Sequence, residues 1–241
     1  MIVITRKNSY FIEEQDVPMI EAGSIVFDPA ANKLYMAFEP GILTEISTEA
    51  VAVETLEALT EAIAAGGNIK VAANIAAPTG FVITSDTVIT NEAEISIPED
   101  TVGDGVFKVT AGVLTLDGKG TINGLDSSGW SMAVWATENG KVIIKDGYFT
   151  NIGAHSPEDS EHYDLIYASG HGQVEILGGE FECETPKWIL NIKNADRETA
   201  SIVVKGGKFH GFNPMEAEEG NFVAPGYKVV EENGIFTVMP E

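Results

Sequence analysis

The stretch IVVKGGKFHGF (202–212) combines a strand-like run, a glycine pair and a phenylalanine two residues after the second glycine. Three earlier stretches follow the same pattern: LTLDGKG (114–120), VIIKDGYF (142–149) and VEILGGEF (174–181). Their aligned glycines, Gly118, Gly147, Gly179 and Gly207, are 29, 32 and 28 residues apart. A unit that recurs at such a spacing is the signature of a repeat architecture.

Apolar residues alternate along the run before each glycine, which places them on one face of a strand. A second strand-like run precedes each copy: VFKVT (106–110), MAVWAT (132–137), DLIYAS (164–169) and WILNI (188–192). One unit is too small to bury its own apolar face, so the units must stack. We expect one buried column to contain Leu116, Ile144, Ile176 and Val204. The spacing favours a parallel β-helix over a propeller, whose blades need about 40 residues or more.

The two ends of the repeat region carry different signals. Residues 53–65 place Leu56, Leu59 and Ile63 on one face and are followed by Gly66, which predicts a short capping helix with a glycine C-cap. Near the other end, Asn233-Gly234 lies between two alternating runs, which is the signal of a type I′ hairpin. We expect the helix and the hairpin to cover the open edges of the stack.

The sequence therefore divides into four predicted segments. They are an N-terminal β-hairpin or attachment module (1–48), a linker and capping helix (49–66), a parallel β-helix (67–212) and a C-terminal cap hairpin (213–241). The first segment has no copy of the repeat, and its stretch GSIVFDPAANKLYMAF (23–38) indicates a hairpin around Asp28-Pro29. The alternative is that this first segment is itself the N-terminal cap of the stack.

Several motifs together resemble right-handed parallel β-helix proteins of the pectate-lyase-like class. They are ALTEAIAAGGNI (58–69), TLDGKGTI (115–122), VEILGGEF (174–181), VVKGGKFHGFNP (203–214) and GYKVVEENGIFTV (226–238). The resemblance covers roughly residues 53–241 and is greatest to the versions found in gut bacteria and their bacteriophages. It implies an all-β fold: a right-handed parallel β-helix, or solenoid, with a capping helix, a small N-terminal β module and a C-terminal hairpin cap. The segment 22–37 is similar to attachment ends of phage fibre and spike proteins.

Composition excludes several classes of protein. The chain has 37 acidic and 14 basic residues, a formal charge of −23, and such a field repels nucleic-acid backbones. Its single cysteine, Cys183, excludes an internal disulfide framework and a cysteine-based zinc site. No apolar run reaches the roughly 20 residues of a membrane-spanning helix. We expect neither nucleic acid nor membrane among its partners.

The first residues, MIVITRKNSYFIEEQ, lack the apolar stretch of a signal peptide. If this start is native, the chain folds in the cytosol, where phage virion proteins assemble before they leave by lysis. Phage fibres and spikes that resemble this sequence are commonly threefold symmetric. We therefore expect a homotrimer, measurable by light scattering, that contacts other virion proteins, of the capsid or tail, through residues 1–48.

One motif invites a catalytic interpretation. Polygalacturonase-like glycosidases of this fold carry GHG and RIK motifs, and the sequence has Gly170-His171-Gly172 followed by Asn191-Ile192-Lys193. Asparagine replaces the arginine, and no pair of carboxylates for inverting hydrolysis can be nominated from the preceding repeats. Gly172 also occupies the turn position that Gly140 and Gly112 hold in other repeats. We predict a structural turn here and nominate no catalytic residue.

Carboxylates and aromatic residues give the remaining site candidates. The loop SPEDSEHYD (156–164) places four carboxylates around His162, which would suit calcium, although solvated acidic loops are the more common case. We expect no cofactor, with calcium as the alternative. Trp130 and Tyr163 fall in variable loops and are the candidate glycan-binding residues, because sugar rings stack on aromatic side chains. Trp135 and Tyr167 fall on strands, and we expect them to be structural.

These observations favour a bacteriophage virion structural protein, as a head fibre, decoration protein or tail appendage that presents a β-helix at the particle surface. Host or environmental glycans are the expected ligands. Two alternatives stay open: a glycan-degrading β-helix enzyme, either a depolymerase or a lyase, and a bacterial surface adhesin. A groove with two carboxylates at catalytic distance would favour the enzyme, and an upstream secretion signal would favour the adhesin.

Overall fold

The computed structural model describes residues 2–4, 9–11, 21–22, 24–28, 33–40, 42–46, 49–97, 105–124, 132–153, 164–218 and 220–241. The chain divides into two compact units, Met1–Ala50 and Val51–Glu241.

The first unit contains one antiparallel sheet of five strands. In chain order the strands are β1 (Ile2–Ile4), β2 (Ser9–Phe11), β3 (Ile25–Asp28), β4 (Lys33–Glu39) and β5 (Ile42–Ile46). The order across the sheet is β2-β1-β3-β4-β5, and each neighbouring pair is antiparallel. The predicted hairpin is present as β3 and β4, with Asp28 opposite Lys33, but it is part of a larger sheet.

The second unit consists of one α-helix, α1 (Leu56–Ala65), two short 3-10 turns and twenty strands among the described residues. The strands are β6 (Val51–Val53), β7 (Gly67–Val71), β8 (Ile75–Ala76), β9 (Phe81–Ile83), β10 (Thr87–Asn91), β11 (Glu94–Ser96), β12 (Phe107–Val109), β13 (Val113–Asp117), β14 (Thr121–Asn123), β15 (Val134–Ala136), β16 (Lys141–Ile144), β17 (Tyr148–Thr150), β18 (Ile166–Ala168), β19 (Gln173–Ile176), β20 (Glu180–Glu182), β21 (Leu190–Ile192), β22 (Ser201–Val204), β23 (Gly207–His210), β24 (Tyr227–Glu232) and β25 (Ile235–Pro240).

These strands form three sheets. A seven-stranded parallel sheet has the order β22-β19-β16-β13-β10-β7-β6, and a five-stranded parallel sheet has the order β21-β18-β15-β12-β9. The third sheet has eight strands in the order β24-β25-β23-β20-β17-β14-β11-β8. It is mixed, because β25 pairs antiparallel with both β23 and β24.

The predicted fold class, a right-handed parallel β-helix, is wrong. The described residues are all-β apart from short helices, but their strands form four separate sheets, one antiparallel, two parallel and one mixed, and not a clear solenoid. The repeat in the sequence gives the spacing between strands that pair, but it contains no information about strands outside the repeat. Both antiparallel arrangements, in the first unit and at β25, come from such strands.

The predicted pairing between successive repeats is confirmed. Leu116, Ile144, Ile176 and Val204 are in register on four adjacent strands of the seven-stranded sheet. All four side chains are buried. Phe149, Phe181 and Phe209 are likewise buried and stack face to face, with ring centroids 5.0 and 4.9 Å apart. The interior of the second unit is therefore built from equivalent residues of successive repeats.

The predicted helix is present, but it begins at Leu56, because Val51–Val53 form β6, and Leu56 itself is exposed. The Thr55 hydroxyl accepts a hydrogen bond from the backbone N–H of Ala58 at the N-terminus, and Gly66 ends the helix with a positive φ of 73°. Leu59 and Ile63 are the buried face.

The predicted C-terminal hairpin is present, with positive φ at both Asn233 and Gly234. It does not form a separate cap. Phe236 of β25 lies opposite Phe209 of β23, so the hairpin extends the mixed sheet.

Candidate functional site

The residues nominated for glycan binding lie outside the described part of the chain. Trp130 falls in 125–131 and Tyr163 in 154–163, which the structure does not describe. The same holds for the candidate calcium loop except Asp164. The described residues that follow these two segments begin at Met132 and Asp164 and lead into β15 and β18.

The outer face of the five-stranded sheet carries a row of side chains in register, one from each strand. We call this set the outer row: Val82, Lys108, Trp135, Tyr167 and Asn191. In each of β9, β12, β15 and β18, the residues on both sides of the outer-row residue are buried, whereas the outer-row residue itself is half-buried or exposed. The third and fourth members, Trp135 and Tyr167, are the aromatic residues, and they point away from the core.

Trp135 and Tyr167, which we expect to be structural, lie half-buried on the outer face of the sheet and not in the core. A large apolar side chain is compatible with either face of a sheet, and the alternation of side chains along a strand decides which face it occupies. Val134 and Ala136 fill the interior on one strand, and Ile166 and Ala168 on the next. Trp188, by contrast, is buried in a short 3-10 turn, Pro186–Trp188.

Trp135 is held by contacts on three sides. Its indole N–H donates a hydrogen bond to the Ser169 hydroxyl at 2.8 Å, and that hydroxyl donates to Thr137 Oγ1 at 2.9 Å. The Lys108 ammonium lies 4.2 Å from the centroid of the indole ring, a cation–π contact. The Tyr167 ring is the neighbour on the other side, with centroids 6.2 Å apart and planes tilted by 53°. The position of the indole is thus fixed before any ligand binds.

Tyr167 is the last aromatic ring of the outer row. On the side away from Trp135, Tyr167 is in register with Asn191, whose side-chain amide donates a hydrogen bond to Asp164 Oδ1 at 2.8 Å. Burial raises the pKa of the Tyr167 phenol, and the nearby carboxylates of Asp164 and Asp196 raise it further. The phenol is therefore neutral at physiological pH and can both donate and accept a hydrogen bond.

A second surface of interest is a cleft of about 400 Å³ on the outer face of the mixed sheet. Glycine backbone forms part of its wall, and its other lining residues are Lys119, Asp146, Tyr148, Glu180, Lys208 and Thr237. We call this the polar cleft. Tyr148, Glu180, Lys208 and Thr237 are in register on four adjacent strands.

Polar side chains in and beside this cleft are paired across neighbouring repeats. The Tyr148 hydroxyl donates to Glu182 at 2.5 Å, and His210 Nε2 lies 2.6 Å from Glu180 Oε1. Burial raises the pKa of Tyr148, and the hydrogen bond to Glu182 adds to this. Glu180 and Glu182 lie two residues apart on the same face of β20, which puts their Cα atoms about 6.6 Å apart. Asp146, Tyr148 and Glu180 thus line the cleft, and Glu182 and His210 lie beside it as their hydrogen-bond partners.

The GHG motif is a turn, as predicted. His171 is exposed, and its backbone N–H donates to the Glu138 carbonyl at 2.8 Å. Gly172 lies against the previous repeat, where a Cβ would be 2.2 Å from the Ala136 carbonyl oxygen. Close approach of two backbones therefore accounts for Gly172.

Within the residues that the structure describes, no group of three or more His, Cys, Asp or Glu side chains could hold a metal ion. No helix of the described segments is long and apolar enough to cross a membrane.

Sequence reasoning missed most of these residues, although one signal was present. Tyr148, Glu180 and Lys208 each directly follow an aligned glycine of the repeat, at a position that faces outward in each of these three copies. The outer row had a similar signal, since Trp135 and Tyr167 occupy the middle of matching three-residue strands. Comparing outward positions between repeats would have found both sets.

Comparison of the chain with family models, curated proteins and solved structures finds no match.

Proposed function

We propose that the chain is a structural protein of a bacteriophage virion, a head fibre, decoration protein or tail appendage, and that its outer row binds surface glycans. The observation that carries the glycan-binding part is the outward placement of Trp135 and Tyr167 on a sheet whose other face is core. Aromatic side chains offer flat apolar faces with a polar edge, which suits sugar rings.

The pairing of polar side chains supports a structural role. Lys205 forms an ion pair with Glu175 at 2.6 Å, one repeat away, and the Lys119 ammonium contacts Asp146 in the next repeat. The Lys205 ammonium holds the pKa of the Glu175 carboxyl below its usual range. These contacts join strands about thirty residues apart in the sequence, so they reinforce the stacking of repeats.

The virion assignment rests on the resemblance of residues 53–241 to phage β-repeat proteins and on the strongly acidic composition, which suits a soluble surface protein. Residues 1–48, which belong to the separate first unit, would supply attachment to the particle.

Immunogold labelling of purified phage particles tests this proposal. Antibodies against the purified full chain should label intact particles from a lysate of the host strain that carries the gene, because a surface-displayed protein is accessible without disruption. Particles from an isogenic phage lacking the gene are the control. Label confined to the soluble fraction would contradict the proposal, and label on uninfected cells would indicate an adhesin.

The polar cleft favours a second candidate function, a glycan-degrading enzyme. Glu180 lines this cleft and Glu182 lies beside it on the same face of β20, with their Cα atoms about 6.6 Å apart. Retaining or inverting hydrolysis requires two carboxyl groups about 5–9.5 Å apart. Under this function, purified protein cleaves host capsular polysaccharide, and Glu180→Gln or Glu182→Gln lowers the rate by about 10²-fold or more. Thr237→Val, which lines the same cleft without a carboxyl group, is the control. A wild-type protein that releases no reducing ends would leave the virion proposal as the function.

A further inference from the structure

The two aromatic rings of the outer row are not equally accessible to a ligand. Trp135 has the Lys108 ammonium 4.2 Å from the centre of its ring on one side and Tyr167 on the other. Tyr167 has Trp135 on one side only. Beyond it the row continues with Asn191, a much shorter side chain. The height of the row therefore drops between Tyr167 and Asn191, and we call this position the step. The face of the Tyr167 ring that is turned towards Asn191 is the one on which a sugar can stack.

Hydrogen-bonding groups lie at this step. Asn191 carries an amide, and its Nδ2 is bonded to Asp164 Oδ1 at 2.8 Å, which fixes the orientation of the amide and directs its oxygen away from Asp164. Asp196 lies in the turn after β21, where its Oδ2 accepts from the Gly170 backbone N–H at 2.8 Å. An aromatic face beside fixed amide and carboxylate groups matches a sugar, which has apolar C–H faces and hydroxyl edges.

Charge at the step selects among sugars. Among the described residues, the carboxylates of Asp164 and Asp196 act electrostatically on the Tyr167 phenol and raise its pKa. One ammonium is close, since Lys193 Nζ lies 4.0 Å from Asp196 Oδ2, and it is largely exposed. The whole chain adds a field of −23. A uronate or sulfated sugar carries a negative charge that this field repels, so its binding is weakened. An uncharged sugar is not repelled in this way.

We propose that Tyr167 and Asn191, whose amide is oriented by the buried Asp164, form a binding site for an uncharged sugar ring, stacked on Tyr167, and that the site rejects anionic sugars. This inference rests on the proposed glycan-binding function and specifies its ligand class and central residue.

Titration calorimetry of the full chain with three hexasaccharides tests it. The probes are cellohexaose and the N-acetylglucosamine hexamer, both uncharged, and hexagalacturonate, which carries six carboxylates. At least one neutral hexamer should bind at least tenfold more tightly than hexagalacturonate in low salt, and the difference should narrow as salt screens the charges. Binding of neither neutral hexamer, or equal binding of hexagalacturonate, would overturn the inference.

Three variants locate the site. Tyr167→Ala should weaken binding of the neutral hexamer about tenfold or more, whereas Tyr167→Phe, which keeps the ring, should stay within about threefold of the wild type. Asp196→Asn removes one negative charge, so it should narrow the preference for the neutral hexamer over hexagalacturonate about threefold. Thermal unfolding of each variant separates loss of the site from loss of the fold. If Tyr167→Ala unfolds, Asp196→Asn keeps the test decisive, because an unchanged preference between the two sugars in that variant would overturn the inference. Unchanged affinity in folded Tyr167→Ala would overturn the inference, whereas particle labelling by antibody would stand independently of it.

Discussion

Phe181→Ala is expected to lower the free energy of unfolding by about 3–5 kcal/mol. The Phe181 ring is fully buried and lies between Phe149 and Phe209, with centroid distances of 5.0 and 4.9 Å and interplanar angles of 13° and 9°. Removing it deprives both neighbours of a stacking partner and leaves a cavity between adjacent repeats. The backbone on each side is hydrogen-bonded to the next strand, so the cavity cannot collapse easily.

Chemical denaturation of the full chain measures this effect, and two variants serve as controls. Leu177→Ala removes an apolar side chain of the same repeat that is 41% exposed, so its cost should stay below about 1 kcal/mol. Phe181→Leu keeps most of the volume and should lie between the two. Equal losses for Phe181→Ala and Leu177→Ala would mean that the assignment of inner and outer faces is wrong.

The stacked interior was predictable because the same apolar positions recur in every repeat. Ile144 and Ile176 recur at the same distance before an aligned glycine, and parallel pairing places such residues side by side. The helix was predictable for a local reason, since Thr55, the apolar face and Gly66 are all within one short segment. Sequence patterns that are local or repeated can be interpreted without any knowledge of the tertiary structure.

The division of the strands among four sheets was not predictable in the same way. β25 joins the mixed sheet because Phe236 pairs with Phe209, a contact between a repeat and a segment that does not repeat. Nothing in the alternation of residues 235–240 distinguishes an edge partner from a separate cap. A parallel β-helix was expected because the repeat spacing in the sequence predicts only the strands that pair in parallel.

The outward position of Trp135 and Tyr167 cannot be predicted from the size of their side chains. Trp135 and Tyr167 have large surfaces to bury on either face of a sheet, so area alone does not choose the face. The neighbours do choose it: Val134 and Ala136 both belong to the interior, and the residue between them must point outward. The contacts of Trp135 with Lys108 and Ser169 are spaced about thirty residues along the chain, and they exist only because the repeats stack.

Gly172→Ala is expected to destabilise the protein by about 4 kcal/mol or more, although the glycine has an ordinary backbone conformation. The Cβ of alanine would lie 2.2 Å from the Ala136 carbonyl oxygen and 2.4 Å from its carbon. Both atoms belong to the backbone of the previous repeat, which is fixed by the hydrogen bond from the Ser169 N–H to that same carbonyl at 2.9 Å. Relief of the clash therefore requires two repeats to separate.

Two substitutions separate this effect from its alternatives. Gly226 has a positive φ of 82° and open space where a Cβ would lie, so Gly226→Ala should cost only about 1 kcal/mol of backbone strain. His171→Ala, at the centre of the GHG motif, should change stability by less than about 0.5 kcal/mol because the side chain is exposed. Denaturant midpoints of the three variants give the comparison. A mild effect of Gly172→Ala would show that the repeats can move apart at this corner, and that the glycine is there for another reason than the contact with Ala136. A large effect of Gly172→Ala, with His171→Ala silent, would show that the stacking of repeats requires Gly172 and does not require the histidine.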